Sequence, residues 1–121
     1  MSAPPKLEPV YLLTGSDRPK IERALRRLRA RVGEESVEHL DAASTSGADA
    51  AAACNALGLF GAEARLVIVD GADAWKKDDV AAVAAYLSDP APATVLALVA
   101  AALGAEAPLA KLCARHGRVL D

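Results

Sequence analysis

The strongest constraint on this fold is a pair of unbroken apolar runs, LVIV at 66–69 and VLALV at 95–99. A strand with one face in water alternates apolar and polar side chains. These runs do not, so they predict strands covered on both faces, as in a parallel sheet held between helices. Three further runs rich in β-branched residues or leucine, VYLL (10–13), SVEHLD (36–41) and RVLD (118–121), join RLVIVD (65–70) and TVLALVA (94–100) as five expected strands.

The intervening segments carry helical signals. Ile21, Ala24, Leu25, Leu28 and Val32 recur at the spacing of one helix stripe, with Ser16 or Asp17 able to cap the start and Gly33 the end. An alanine-rich helix is expected over 47–57. A third helix is expected over 77–87, with Val80, Val83, Ala84 and Leu87 on one side and Ser88-Asp89-Pro90 stopping it. A fourth has Pro108 in its first turn, His116 in its last and Gly117 just beyond. Strand and helix in alternation, with right-handed crossovers, predict an α/β three-layer sandwich around a mainly parallel five-stranded sheet. Residues 1–8 are expected to be a flexible N-terminus, and 9–121 one domain.

Composition narrows the chemistry. Of 121 residues 53% are hydrophobic but only 3% aromatic, so the core must be built from Leu, Val, Ile and Ala. A net charge of −2 gives no global attraction to nucleic acid or membrane, and the longest apolar stretch, around 95–103, is too short to span a bilayer. Seven of the fourteen basic residues lie between Arg18 and Arg31. They spread round the non-apolar arc of the first helix, as on a solvated face. Arg23, Arg26 and Arg27 are the candidate contact there for DNA or an acidic partner. Cys54 and Cys113 match no metal-ligand spacing and are expected to be buried, reduced thiols of a cytoplasmic protein. No metal or cofactor is expected.

Ligands of such folds sit beyond the carboxyl ends of the strands. The first of those loops, TGSDRPKIE (14–22), places Gly15 and Lys20 near the positions of a phosphate-binding loop. It lacks the second glycine, Pro19 removes an amide, and Ile21 stands where the magnesium-binding hydroxyl belongs. A degenerate nucleotide site using Lys20 stays open as an alternative. So does a phosphoreceiver using Asp70, although only Asp17, Ala100 and Asp121 stand where its partners should be. Asp70 otherwise reads as a strand-ending carboxylate capping the next turn. His39 and His116 read as surface or strand-edge residues. Trp75 is expected to lie over the third helix with its indole N–H near solvent.

One stretch, ALGLFGAEA (56–64), puts the only phenylalanine beside a leucine between Gly58 and Gly61. Leu59 and Phe60 are either a plug under the sheet or a pair presented to another protein. The order of pieces resembles a known family. PVYLLTGSDRPKIERALRRLRARV (9–32) is similar to the opening of the delta subunit of bacterial DNA polymerase III holoenzyme. The stretch LGLFGAEARLVIVDGADAWKKDDVAAVAAYLSDPAPATVLALVA (57–100) resembles that family's Leu-Phe pair, third strand, turn, helix and fourth strand. The resemblance implies an ATPase-like AAA+ domain that has lost nucleotide binding, in a non-catalytic subunit of a DNA-directed DNA polymerase holoenzyme. It implies that Leu59 and Phe60, with Leu57 in support, form a wedge entering a hydrophobic pocket on the sliding clamp and holding it open. Other clamp-loader subunits would be partners, and DNA an indirect one. The sister delta-prime subunit usually carries a four-cysteine zinc site, which two cysteines cannot supply. Family members are longer, with lid and collar domains not seen in this sequence.

Overall fold

The computed structural model describes residues 7–57 and 64–120, and all five expected strands lie in one sheet. They are β1 (Val10–Thr14), β2 (Val37–Asp41), β3 (Arg65–Asp70), β4 (Thr94–Ala100) and β5 (Arg118–Leu120), in the order β2-β3-β4-β1-β5. Every pairing among them is parallel. The apolar runs are the middle of that order: all seven residues of β4 and residues 66–69 of β3 are buried. Covering both faces removes the alternation that a half-exposed strand would show.

Register sorts the side chains into two layers. Val10 and Val67 both stand opposite Leu96, and Leu12 and Val69 opposite Leu98, forming rows on one face. That face packs against α2 (Gly47–Leu57), α3 (Lys77–Leu87) and α4 (Pro108–His116) through Ala50, Cys54, Val83, Leu87, Leu109 and Cys113. The opposite rows, built on Tyr11, Ala97, Ile68, Leu13 and Val99, receive α1 (Arg18–Val32) through Ile21, Leu25 and Leu28. Three helices thus cover one face and one helix the other. Each large side chain that α1 buries contributes about 1.5–3 kcal/mol, so an acidic residue at Leu25 would detach it.

The helix ends follow their caps. Asp17 accepts from the Lys20 amide at 3.2 Å at the start of α1, and the Gly33 amide donates to the Arg29 carbonyl at its end. The α2 helix can be mostly alanine because it lies close to its neighbours. A Cβ on Gly47 would collide with the Asp79 backbone, and the Gly47 amide donates to the Asp79 carboxylate at 2.9 Å. That carboxylate also accepts from the Lys76 amide at 2.9 Å, so one side chain ties the start of α2 to the start of α3. Gly117 is needed for a similar reason: a Cβ there would run into the Val10 carbonyl as the chain turns from α4 into β5.

One expectation changes, and one core residue is added. Trp75 does not leave its indole N–H near solvent; that group donates to the Thr45 carbonyl at 2.9 Å while the ring packs on the three-helix side of the core. Tyr86, absent from the expected stripe of α3, is a core residue at 6% exposure. Its hydroxyl accepts from the Ala91 amide and donates toward the Cys54 thiol, which satisfies a polar group that burial would otherwise penalise. The expected flexible start is described only at Leu7 and Glu8, where Leu7 packs on the α1 side and the Glu8 amide donates to the Tyr11 hydroxyl.

Candidate partner-binding site

A parallel sheet gathers its strand-to-helix loops at one end and its helix-to-strand joins at the other. At the first end, the β1–α1 loop is closed by local bonds. The Arg18 amide donates to the Ser16 carbonyl, and the Lys20 and Ile21 amides reach the Asp17 carbonyl. The Asp17 carboxylate takes the Lys20 amide as well. A phosphate-binding loop offers free first-turn amides to an anion; here a carboxylate already stands at that helix N-terminus. Lys20 is exposed at the first turn of α1.

Asp70 ends β3, and its carboxylate does not cap the following turn as expected. It meets Nε2 of His39 at 2.5 Å. Strand pairing explains why: His39 stands opposite Ile68 on the neighbouring strand, so Asp70 is its next neighbour on the same face. The pair lies at the β2 edge with both side chains partly exposed. Sequence spacing could not reveal it, because the two residues are 31 apart and meet only through the sheet register. Among the described residues no group of three or more His, Cys, Asp or Glu is placed to hold a metal ion. His116 ends α4, far along the chain from either acid.

The other end of the sheet is where α2 stops, at Leu57, and where β3 starts, at Arg65. Leu59 and Phe60 lie outside the described residues, as does the Leu57 side chain. The arginines of α1 are in view. Arg23, Arg26 and Arg27 are all exposed, whereas Arg29 is half-buried. Arg23 and Arg27, one helical turn apart, border a groove of about 560 Å³ between α1 and the β1–β5 side of the sheet. Arg26 does not border it. Sequence periodicity places these residues on one helix but cannot show the groove, because β5 reaches β1 only through the strand order.

No family model matches the sequence, and no curated protein matches it. Solved structures do. The chain superposes on the Bacillus subtilis DNA clamp loader delta protein with a TM-score of 0.74 at 24% identity, covering 94% of this chain and 38% of that one. The chain has a clamp-loader fold. It also superposes on a DNA polymerase III gamma subunit-related protein from Thermotoga maritima with a TM-score of 0.63 at 18% identity, over 96% of this chain and 42% of that one. The likeness to the delta subunit read from the sequence is borne out as a likeness of fold, and the expected α/β sandwich with a five-stranded parallel sheet is present. At these identities it is the architecture that is shared, and an architecture of this kind hosts many activities. The clamp-loader fold here spans well under half the length of either neighbour.

Proposed function

We propose that residues 9–121 act as the AAA+-like first domain of a replicative clamp-loader delta subunit, one that binds and opens the sliding clamp without hydrolysing ATP itself. Leu59 and Phe60 enter a hydrophobic pocket on the clamp, with Leu57 beside them. Other ATP-hydrolysing subunits of the loader reset the clamp, and DNA is reached only through the assembled complex. The observation that carries this reading is the fold shared with a delta-type clamp loader across 94% of the chain.

The β1–α1 loop supports the non-catalytic part. It lacks the second glycine of a phosphate loop, and Asp17 brings negative charge to the place where phosphate would sit. Asp70, the residue a receiver domain would phosphorylate, is engaged by His39.

The test is capture of the organism's sliding clamp by the chain and by Leu59→Ala/Phe60→Ala. Burying two such side chains contributes about 1.5–3 kcal/mol each, so the double change should weaken binding by about a hundredfold or more with thermal stability nearly unchanged. Retained clamp binding together with a large drop in stability would instead mark the pair as a core plug. Calorimetry with magnesium and ATP gives no heat on this reading; binding abolished by Lys20→Ala would establish the nucleotide-site alternative.

A further inference from the structure

The groove beside α1 has a composition that selects its occupant. Its floor is aliphatic: Leu13 from β1, Ile21 and Ala24 from α1, and Leu120 from β5. Its rim on the α1 side carries Lys20, Arg23 and Arg27, at the helical spacing that puts all three on one stripe. Among the described lining residues none is acidic. Val119 closes the far side and is 37% exposed, the one exposed large hydrophobic among the described residues. β5 is also the edge of the sheet, so one side of its backbone has no neighbouring strand among the described residues. An unpaired edge accepts another strand, with pockets beside it reading alternate side chains.

We propose that this groove docks an acidic segment of a partner protein, laid along β5 as an added strand whose α1-facing side chains, every second residue, are carboxylates and apolar groups in turn, the carboxylates on Arg23 and Arg27 and the apolar groups on the aliphatic floor. Charge complementarity favours an acidic segment, and the floor favours peptide over nucleic acid. Single strands of nucleic acid bind on aromatic platforms, and the groove has none: Tyr11 is buried, Tyr86 is in the three-helix layer and Trp75 packs there too. The inference is independent of the clamp reading. The residues proposed to hold the clamp lie between α2 and β3, whereas the groove lies where β1 and β5 end.

The experiment uses a fluorescent, end-blocked nonapeptide, Leu-Thr-Glu-Thr-Leu-Thr-Glu-Thr-Leu, which puts Leu and Glu in turn on one strand face, with its Leu-Lys counterpart and an oligo-dT strand as comparators. The Leu-Glu peptide should bind the chain, and its amide shifts should concentrate at 13–14, 20–27 and 118–120. Arg23→Glu/Arg27→Glu should weaken it by about tenfold or more, since two exposed charge contacts become repulsive. Ala24→Glu, which sets a carboxylate among the three cations, should weaken it comparably. Clamp capture should be unchanged in both variants. No peptide binding by the unaltered chain, binding that survives both changes, or shifts along β2 instead would overturn the proposal. Tighter binding of oligo-dT than of the peptide would overturn it in favour of a nucleic-acid surface.

Discussion

Raising the pH should destabilise this domain through its two cysteines. Both thiols are fully buried, Cys54 on α2 and Cys113 on α4. Burial pushes Cys54 up to about 11, the hydrogen bond from Tyr86 offsetting part of the effect, and pushes Cys113 up to about 12, against an ordinary 9.0. A folded pKa above the unfolded one means that the unfolded chain gives up the proton first. The stabilisation is therefore fully present below pH 9 and is lost as the pH climbs through the folded values. Each pH unit in that window is worth about 1.4 kcal/mol per thiol. Between about pH 8 and pH 10.5 each cysteine then withdraws about 2 kcal/mol, and the pair about 4 kcal/mol. A domain of this kind is stable by about 5–15 kcal/mol, so the change is large. Urea unfolding in reductant, followed by far-UV circular dichroism at several pH values, reads it directly. Cys54→Ala/Cys113→Ala should start from a lower stability but lose far less over the same range. Equal losses in the two proteins would show that the thiols are not held in a poorly solvating interior, and the packing of α2 and α4 described above would be refuted.

Gly117→Ala should destabilise by about 1–3 kcal/mol, because the new methyl group meets a backbone carbonyl that no side-chain rotation can move. Amide exchange should quicken at 118–120 more than in β4, and uniform protection would count against the predicted clash. In Asp79→Asn the acid limb of the stability curve should flatten. The Lys76 amide first, and the Gly47 amide with it, hold the Asp79 carboxyl below its ordinary 3.8. Its contribution is present above about pH 4 and is lost as the pH falls through the lower folded value, a sign that urea titrations in that range will check. Trp75→Phe should cost about 1–2 kcal/mol by chemical denaturation, since it leaves the Thr45 carbonyl without its donor.

Elements set by local patterning were legible in the sequence. The stripe from Ile21 to Val32 gave α1 because every buried member lies on one arc, and Gly33 and Pro108 mark helix ends through their own backbone chemistry. LVIV and VLALV announced central parallel strands because burial on both faces leaves no polar positions. What stayed hidden depends on strand order. Nothing local says that β1 sits between β4 and β5, so the α1 groove could not be drawn beforehand, and the His39–Asp70 contact likewise needs the β2–β3 pairing and its register. Tyr86 was missed for another reason. Its ring is core material, but its hydroxyl needs a partner, and that partner comes from the loop after α3 and from Cys54 on another helix.

The sheet geometry bears on how two protein contacts could share one small domain. A parallel sheet of this order is rigid and separates its two ends by the length of its strands; β4, at seven residues, spans about 20 Å. In open α/β sheets generally, ligands sit at the strand-to-helix end. Here Asp17 closes the first of those loops, which leaves that end available for a polypeptide beside α1. The α2–β3 connection leaves from the opposite end, so a partner held there need not displace one held in the groove. A groove at one end of the sheet and a connection that leaves and re-enters at the other should contribute additively. Combining Leu59→Ala/Phe60→Ala with Arg23→Glu/Arg27→Glu should therefore weaken each interaction only as much as its own pair of changes does. Coupling between the two would require the central strands themselves to shift, which their close burial resists.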